Sequence, residues 1–405
     1  MNDFDVIIVG AGMVGLSVAS LLADTQLRVA LIDKSEASAK ISLTGRVGSK
    51  FESRVSALSP SSRELLRRLG AWSLIEQKRY CDLRKMHVWD SDGTGSITFS
   101  AEDLATPRLA TIIENSLIIE ALTECLESRS DVELIRPSSV DALEELDDWV
   151  LLNTAEQGVL RAKLVIAADG VNSKIRELKS FEVREWEYNH HAIVTTVETV
   201  NTHQKVALQR FMPTGPLALL PLSLGVNDSC QKYSSIVWSA EPSYAKSLMD
   251  LTNENFCFEL SKCSESRFGR VVDCGTRQLF PLTQRHSVNY SKGRVVLVGD
   301  AAHSIHPLAG QGANLGFLDA QALTNEIKKG LSVGRAVSDP VLMDRYQRAR
   351  KGHNLGMMVL MEGFKRIFAE DILSVRWLRN FGMSRIDELQ PVKNYLAKRA
   401  MGLDF

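Results

Sequence analysis

The sequence lacks several features that mark other classes of protein. No apolar run reaches the ~18 residues of a membrane-spanning helix, and no basic-then-apolar leader precedes the strand pattern that starts at Phe4. The six cysteines include no CxxC pair. These absences argue against a membrane-spanning helix, a secretory signal, a zinc site and a disulfide framework. They predict a cytoplasmic protein with reduced thiols.

An excess of charge of one sign is also missing. Lys and Arg number 48 against 49 Asp and Glu, a formal net charge of −1, which argues against nucleic acid as a partner. Residues 351–405 are the local exception, because nine basic against six acidic residues leave a net charge of +3 on an apolar helical pattern. Such a tail can rest on an anionic membrane, or pack on the enzyme or a partner chain.

What is present indicates nucleotide-binding architecture in separated pieces. The 405 residues are 44% hydrophobic, and three segments, 4–33, 160–176 and 293–321, resemble parts of one nucleotide-binding unit. The stretches between them carry alternating patterns typical of strands. We predict an α/β fold: a discontinuous Rossmann-type domain (1–79, 106–184 and 281–350), an inserted β-rich substrate domain (80–105 and 185–280) and a C-terminal helical region (351–405).

The first motif follows an apolar strand at the start of the chain. Gly10, Gly12 and Gly15 fit GxGxxG, in which the glycines allow a tight turn, approach to a pyrophosphate, and close packing of helix on strand. A second strand, residues 29–32, ends at Asp33, where an acid would take ribose hydroxyls. An acid at this point favours FAD or NAD over NADP.

The second motif is a strand that ends at Asp169-Gly170 and is followed by Ser173 and Arg176. Asp169 can cap the following helix, and the glycine allows close approach. An ordinary strand-to-helix turn explains this pattern equally well.

The third motif follows a buried strand that ends at Gly299-Asp300. The Asp300 carboxylate can accept hydrogen bonds from hydroxyls, Pro307 fixes a loop, and Gly310 and Gly312 keep that loop free of side chains. A helix is predicted from about Ala313 to Gln321, with its positive end toward the loop. His303 and His306 have no third ligand nearby, so we predict no metal site and expect His303 to pack or form hydrogen bonds.

Together these motifs resemble the FAD-dependent aromatic hydroxylases known as class A flavoprotein monooxygenases. The resemblance covers residues 5 to about 350 and rests on the glycine loop, on Asp169-Gly-Val-Asn-Ser-Lys-Ile-Arg, and on Gly299-Asp-Ala-Ala-His-Ser-Ile-His-Pro-Leu-Ala-Gly-Gln-Gly. His306-Pro-Leu-Ala-Gly-Gln-Gly-Ala-Asn-Leu-Gly, Arg54-Val-Ser-Ala-Leu-Ser, Ile113-Glu-Asn-Ser and Phe280-Pro-Leu are similar to the ubiquinone-biosynthesis branch.

The resemblance implies a role for each motif residue. The three glycines would cradle the FAD pyrophosphate, and Asp33 would bind the adenosine ribose, although Asp33 is shorter than the family's usual Glu. Other residues would approach the cofactor or line the flavin ring, largely through the backbone. These implied contacts are Arg54, Asp169, Gly299, Asp300, Pro307, Gly310, Gly312, Ala313 and Asn314. Many class members carry Arg where Glu114 falls, so that residue's role is not transferred.

The resemblance also implies the chemistry: a flavin hydroperoxide, formed from O2 on reduced FAD, hydroxylates an aromatic ring. The reductant would be NAD(P)H or another electron donor. Since a phenol activates its own ring, we nominate no catalytic base. The substrate would be a polyprenylated phenol of ubiquinone biosynthesis, with its tail in a channel lined by Phe211, Leu219 and Pro221. An ordinary buried strand explains those three residues equally well.

Other readings and partners stay open at this point. The alternatives are a hydroxylase of another small aromatic compound and a flavoprotein subunit of a biosynthetic complex without turnover. Candidate partners are subunits of a ubiquinone-biosynthesis complex, a second copy of the chain, and the inner-membrane surface contacted peripherally by the C-terminal region. Substrate-dependent NAD(P)H oxidation or O2 uptake would separate an enzyme from a non-catalytic subunit.

Overall fold

The structure is a computed structural model, described here for most of the chain. The described residues are 2–36, 50–91, 95–129, 131–225, 228–304, 312–369, 389, 391, 393 and 394. The predicted cofactor residues Pro307 and Gly310 lie outside them.

Helices and strands alternate in the way the sequence predicts for an α/β protein. The helices are α1 (Met13–Leu22), α2 (Pro60–Arg68), α3 (Ala71–Glu76), α4 (Asn115–Glu127), α5 (Lys174–Leu178), α6 (Pro242–Asp250), α7 (Asn253–Cys263), α8 (Gly312–Ser332) and α9 (Pro340–Ala369). The strands are β1 (Asn2–Val9), β2 (Val29–Ile32), β3 (Val55–Leu58), β4 (Cys81–Leu83), β5 (Lys85–Asp90), β6 (Ser96–Ser100), β7 (Ala110–Glu114), β8 (Val132–Ile135), β9 (Val140–Glu145), β10 (Val150–Thr154), β11 (Gly158–Ala167), β12 (Val183–Thr199), β13 (Val206–Phe211), β14 (Leu217–Leu222), β15 (Tyr233–Ala240), β16 (Val271–Cys274), β17 (Gln278–Ser287), β18 (Ser291–Lys292), β19 (Val295–Leu297) and β20 (His303–Ser304).

The first sheet is the predicted nucleotide-binding sheet. Its strand order is β18-β19-β11-β1-β2-β8, and β10 and β9 extend it beside β11. Strands β19, β11, β1, β2 and β8 run parallel, and their apolar runs are buried in the main core, as is usual for parallel strands. Parallel strands point their carboxyl ends to one edge, so segments far apart in sequence meet there.

The second sheet is the predicted β-rich part. It has nine strands in the order β20-β17-β12-β15-β14-β13-β5-β6, with β16 beside β12. Helices α6 and α7 pack on one face around Trp238 and Phe256.

The domain boundaries stay a prediction, and two strands of the second sheet run past them. Strand β12 begins at Val183 and β17 continues to Ser287, whereas the predicted boundaries are at 185 and 280. A third sheet, β3-β7-β4, lies beside the second. Residues of the second and third sheets share one apolar cluster, which includes Ile112 of β7 and Leu220 and Leu222 of β14.

The helix of the third motif is longer than predicted. Helix α8 begins at Gly312, close to the predicted start, but continues to Ser332. Residues 322–329 contain neither Gly nor Pro, and Leu323 and Ile327 are buried in the core, so packing carries the helix onward.

Candidate cofactor site

Four loops meet at the carboxyl edge of the first sheet. Gly10 follows β1, Asp33 follows β2, Asp169 comes two residues after β11, and Gly299-Asp300 comes shortly after β19. The edge therefore brings all three sequence motifs together. Backbone hydrogen bonds fix the loops, since Gly10 N donates to Ile32 O at 2.7 Å and Ala168 N to Val9 O at 2.8 Å.

At two of its three glycines, the loop makes contacts that leave no room for a side chain. Gly10 has φ +106°, and a Cβ there would lie 2.4 Å from Ala168 O. A Cβ on Gly15 would lie 1.8 Å from Gly10 O. Gly12 differs, because a Cβ there would meet nothing within 4 Å. Contacts within the protein therefore require glycine at positions 10 and 15, whereas Gly12 leaves its backbone open to a ligand.

Asp33 ties the glycine loop to the end of β2. Its Oδ2 accepts a hydrogen bond from Ala11 N at 2.6 Å, and its Oδ1 accepts one from Ser35 N at 2.7 Å. A carboxylate has about four acceptor positions, so both oxygens retain capacity for ribose hydroxyls. The side chain is half-buried.

Asp169 presents a buried oxygen with no partner. Its Oδ2 accepts from Ile175 N at 3.1 Å, while Oδ1 is buried and has no hydrogen-bond partner. Burial raises the pKa of Asp169, and the hydrogen bond from Ser173 opposes that rise. An orphaned carboxylate oxygen beside the glycine loop indicates a site for an external donor.

Asp300 is exposed at the same edge of the sheet. The surrounding protein nevertheless desolvates the carboxyl group and raises its pKa, while His303 and Arg54 act in the opposite direction. A group that is open to solvent and also desolvated indicates a concave site, the cofactor cleft. Arg54 lies close enough to this carboxyl group to act on it, and its guanidinium carbon is 6.0 Å from the centroid of the Phe280 ring.

Asn314 acts through its side chain, not only through the backbone as expected. Its Oδ1 accepts from Ser59 N at 2.9 Å and Ser62 Oγ at 2.8 Å, and its Nδ2 donates to Ala57 O at 2.9 Å. These bonds fasten the first turn of α8 to the segment after β3. Gly312 and Ala313 precede Asn314 and are half-buried.

These observations fit FAD. Gly12 leaves backbone open where a pyrophosphate would lie, Asp33 keeps acceptor capacity for a ribose, Asp169 has a carboxylate oxygen without a partner, and the Asp300 side chain is exposed at the same edge of the sheet. The first turn of α8 adds a positive partial charge at the same edge. The residues present can therefore hold a dinucleotide along the sheet edge.

The predicted substrate residues lie on buried strands of the second sheet. Phe211 packs with Val88 and Ile97, and Leu219 packs in the core beneath helices α6 and α7. Pro221 is buried and, by strand alternation, shares the face of Leu219.

The opposite face of β14 turns toward the first domain. Leu220 and Leu222 belong to a cluster with Phe51 and Ala57, which come from the cofactor-binding part of the chain. The sequence Leu-Ala-Leu-Leu-Pro-Leu is apolar throughout, so alternation could not show which face is which. The sequence therefore could not show that Leu220 and Leu222 face this cluster.

Two buried ionic groups were also missed. Glu114, only 3% exposed, accepts from Arg79 at 2.6 and 2.7 Å and from Glu52 N at 2.6 Å, so it joins β7 to the segment before β3. Asp319 binds His303 and Arg350, which confirms the expected hydrogen bonding of His303. In the sequence, the one sign of Asp319 is that it is an isolated acidic residue within an apolar helical pattern.

Two features are absent from the described part of the chain. Among those residues, no group of three His, Cys, Asp or Glu side chains is placed to hold a metal ion. No described helix combines the length and apolar character that crossing a membrane requires.

Comparisons with known proteins agree on the family. A model described as an FAD-binding domain matches residues 3–359. The 3-demethoxyubiquinol 3-hydroxylase of Escherichia coli is 34% identical over 399 residues, which cover 98% of each chain. The mitochondrial ubiquinone biosynthesis monooxygenases COQ6 of Xenopus tropicalis and Homo sapiens are 33% and 30% identical, over 97% of this chain and 92% and 91% of theirs.

Solved structures show the same fold at lower identity. The p-nitrophenol 4-monooxygenase PnpA of Pseudomonas putida gives a TM-score of 0.80 at 20% identity, covering 100% of this chain and 99% of that one. The probable FAD-dependent monooxygenase pqsL of Pseudomonas aeruginosa gives 0.75 at 19% identity, covering 95% and 100%. With the family match and the full-length relatives, this likeness confirms the predicted α/β architecture. The chain belongs to the FAD-dependent aromatic hydroxylases, class A flavoprotein monooxygenases, in the branch of the ubiquinone-biosynthesis hydroxylases.

Proposed function

We propose that this enzyme hydroxylates the aromatic ring of a polyprenylated phenol in ubiquinone biosynthesis. The observation that carries the proposal is the sheet edge where Gly12, Asp33, Asp169 and Asp300 converge, in a chain 34% identical to a ubiquinol hydroxylase over nearly its full length. One oxygen atom of O2 would enter a ring C–H bond as hydroxyl, and the other would leave as water. NAD(P)H or another donor would supply the two electrons.

The chain's own residues would bind and orient, and the cofactor would carry the redox chemistry. Bound FAD supplies the activation of O2. Gly10, Gly12 and Gly15 would hold its pyrophosphate, Asp33 its ribose, and Asp300 the region between phosphates and ring. Arg54 would set the charge of the cleft opposite Asp300, whose pKa it lowers. Asn314, with its neighbours Gly312 and Ala313, would hold the start of α8 against the ring.

The substrate would enter between the second sheet and the first domain. Leu220, Leu222 and Phe51 form a buried apolar cluster there; a prenyl tail would lie beside that cluster, which would help to exclude water from the reacting ring. Leu219 and Pro221 would support that cluster from behind the strand, and Phe211 would stabilise the neighbouring strand β13. No described residue is nominated as a catalytic base, because a phenol activates its own ring.

Location and partners are part of the proposal. A polyprenylated substrate resides in a membrane, so a peripheral site at the inner membrane would give access to it. The basic region 351–405 is the proposed contact. Subunits of a ubiquinone-biosynthesis complex and a second copy of the chain remain proposed partners.

The test is a quinone profile of the host after deletion of the gene. We expect a polyprenylphenol short of one hydroxyl to accumulate, and its structure would give the ring position. Re-expression of the wild type should restore the quinone, whereas Asp300→Asn should not. An unchanged quinone pool, in a host without a redundant hydroxylase, would remove the ubiquinone assignment and leave another aromatic substrate. Restoration by a variant that cannot bind FAD would indicate a non-catalytic subunit.

A further inference from the structure

A buried carboxylate lies behind the turn that carries Asp300. Asp319, on α8, is fully buried. Its Oδ2 accepts from Gly299 N at 3.1 Å and from His303 Nε2 at 2.5 Å. Its Oδ1 accepts from Arg350 Nε at 2.7 Å and from Asn354 Nδ2 at 3.3 Å. Four donors thus surround one carboxylate and leave no acceptor position unused.

The network extends through α9 to the end of β17. Asn354 accepts from Arg350 Nη2 at 2.9 Å and donates to Tyr290 Oη at 3.2 Å. That hydroxyl is 3.1 Å from His286 Nε2. Every member is almost fully buried, so the network has one hydrogen-bonded arrangement and no water to replace a lost partner.

The Asp319 carboxylate is ionised, so it needs all of its hydrogen-bond partners. Burial alone would raise the pKa of Asp319, but His303 and Arg350 outweigh burial and lower it to about 2. A buried ionised group is tolerated only when it is fully paired. The network also acts electrostatically on Asp300, because His303 lowers the pKa of Asp300 and Asp319 raises it.

The turn at Gly299 is enclosed on two sides. Gly299 has φ +58°, and a Cβ there would lie 3.1 Å from Val14 Cγ2. Its N–H is held by Asp319 on the other side. Because Asp300 follows directly, a shift of Asp319 would move the backbone from which the Asp300 side chain projects.

We propose that Asp319, His303 and Arg350 are positioning residues of the FAD site, which act through the Gly299–Asp300 turn. The network makes α9 part of the cofactor site, although Arg350 lies outside all three sequence motifs. The proposal concerns FAD binding and does not depend on the substrate proposed above.

The test is FAD affinity of the full-length apoprotein, followed by quenching of flavin fluorescence. Arg350→Met should raise the Kd for FAD about ten-fold or more, the order seen when a group that orients a ligand-binding residue is lost. Arg350→Lys, which keeps the charge, should recover part of the affinity. Tyr346→Phe is the matched control: it removes a buried 2.8 Å hydrogen bond from the same helix to Leu297 O without touching Asp319, and its Kd should not change.

A double-mutant cycle separates positioning from general stability. Asn354→Leu is the milder change and is used if Arg350→Met does not fold, as judged by circular dichroism. If the network acts through the turn, its effect on Kd should largely vanish in an Asp300→Asn background, because coupled residues are not additive. Additive effects, an unchanged Kd in a folded variant, or an equal effect of Tyr346→Phe would each overturn the proposal.

Discussion

At the scale of single residues, two glycines of one motif have different surroundings. A Cβ on Gly15 would collide with the Gly10 carbonyl at 1.8 Å, whereas a Cβ on Gly12 would meet nothing within 4 Å. A backbone atom cannot move aside cheaply, so Gly15 is required by the fold. At Gly12 the requirement for glycine comes only from a ligand that lies against the loop.

We therefore expect opposite outcomes for two alanine substitutions. Gly15→Ala should destabilise the apoprotein by about 3 kcal/mol or more, since overpacking against backbone cannot relax. Gly12→Ala should leave apoprotein stability within about 0.5 kcal/mol and raise the Kd for FAD. Thermal unfolding and flavin titration measure the two quantities. A stable Gly15→Ala protein would show that the loop can shift.

His286 predicts a pH dependence of stability. Burial, followed by the nearby basic groups His303, Lys351 and Arg184, lowers the pKa of His286 to about 4 from the usual 6.5. Between those values the unfolded chain binds a proton that the folded chain does not, so stability falls as pH decreases from about 6.5 to 4. The loss is of the order of 3 kcal/mol.

The measurement is the free energy of unfolding of the wild type and His286→Gln across that pH range. The variant, which keeps a polar side chain beside Tyr290, should lose much of the slope. An identical slope in both proteins would assign the pH dependence to other groups.

At the scale of elements, the packing of α1 on α8 depends on small residues. A Cβ on Gly316 would lie 2.5 Å from Val14 Cγ2. Val14 also contacts Gly299, so these two helices and the Asp300 turn share one contact region.

Gly316→Ala is expected to cost about 1–2 kcal/mol net. Overpacking costs about 1–3 kcal/mol, and the helix propensity of alanine returns up to about 1. In a Val14→Ala background the same substitution should cost less, because the colliding methyl group is gone. Urea unfolding of the four proteins gives the coupling, and equal costs in both backgrounds would contradict the packing argument.

At the scale of the whole molecule, the C-terminal region has two parts with different expected roles. Helix α9 contributes Arg350 and Asn354 to the buried network. Beyond α9, Lys393 pairs with Asp103 of the predicted second domain at 3.3 Å, and apart from residues 389, 391, 393 and 394 the segment 370–405 lies outside the described part. We propose that the first part supports the cofactor site and that the second carries the membrane contact.

Removal of residues 370–405 should therefore abolish binding to anionic vesicles without loss of flavin, because α9 remains. Co-sedimentation with anionic and with neutral vesicles measures the first effect, with neutral vesicles as the control. Flavin absorbance measures the second. Loss of flavin would show that the tail is structural, and unchanged vesicle binding would place the membrane contact elsewhere.

The sequence by itself determined the cofactor loops of this protein. Gly10, Gly12, Gly15 and Asp33 lie within one short strand-helix-strand unit, where spacing along the chain dictates spacing in space. The strands that precede Asp169 and Asp300 were predicted from their apolar runs, although the turn at Asp169 was equally consistent with an ordinary strand-to-helix connection. The family was predictable because the three motifs together resemble those of the class A flavoprotein monooxygenases, and parallel strands bring such motifs to one edge of a sheet.

Only the tertiary structure decided which residues act across the chain. Asn314 bonds to Ser59, 255 positions away, and Leu220, not Leu219, faces the cofactor-binding part, because strand register and sheet packing select the face. The pairing of Asp319 with Arg350 joins helices whose relative placement no local pattern specifies. Such contacts depend on how preformed elements pack, and a linear pattern of apolar and polar residues does not contain that information.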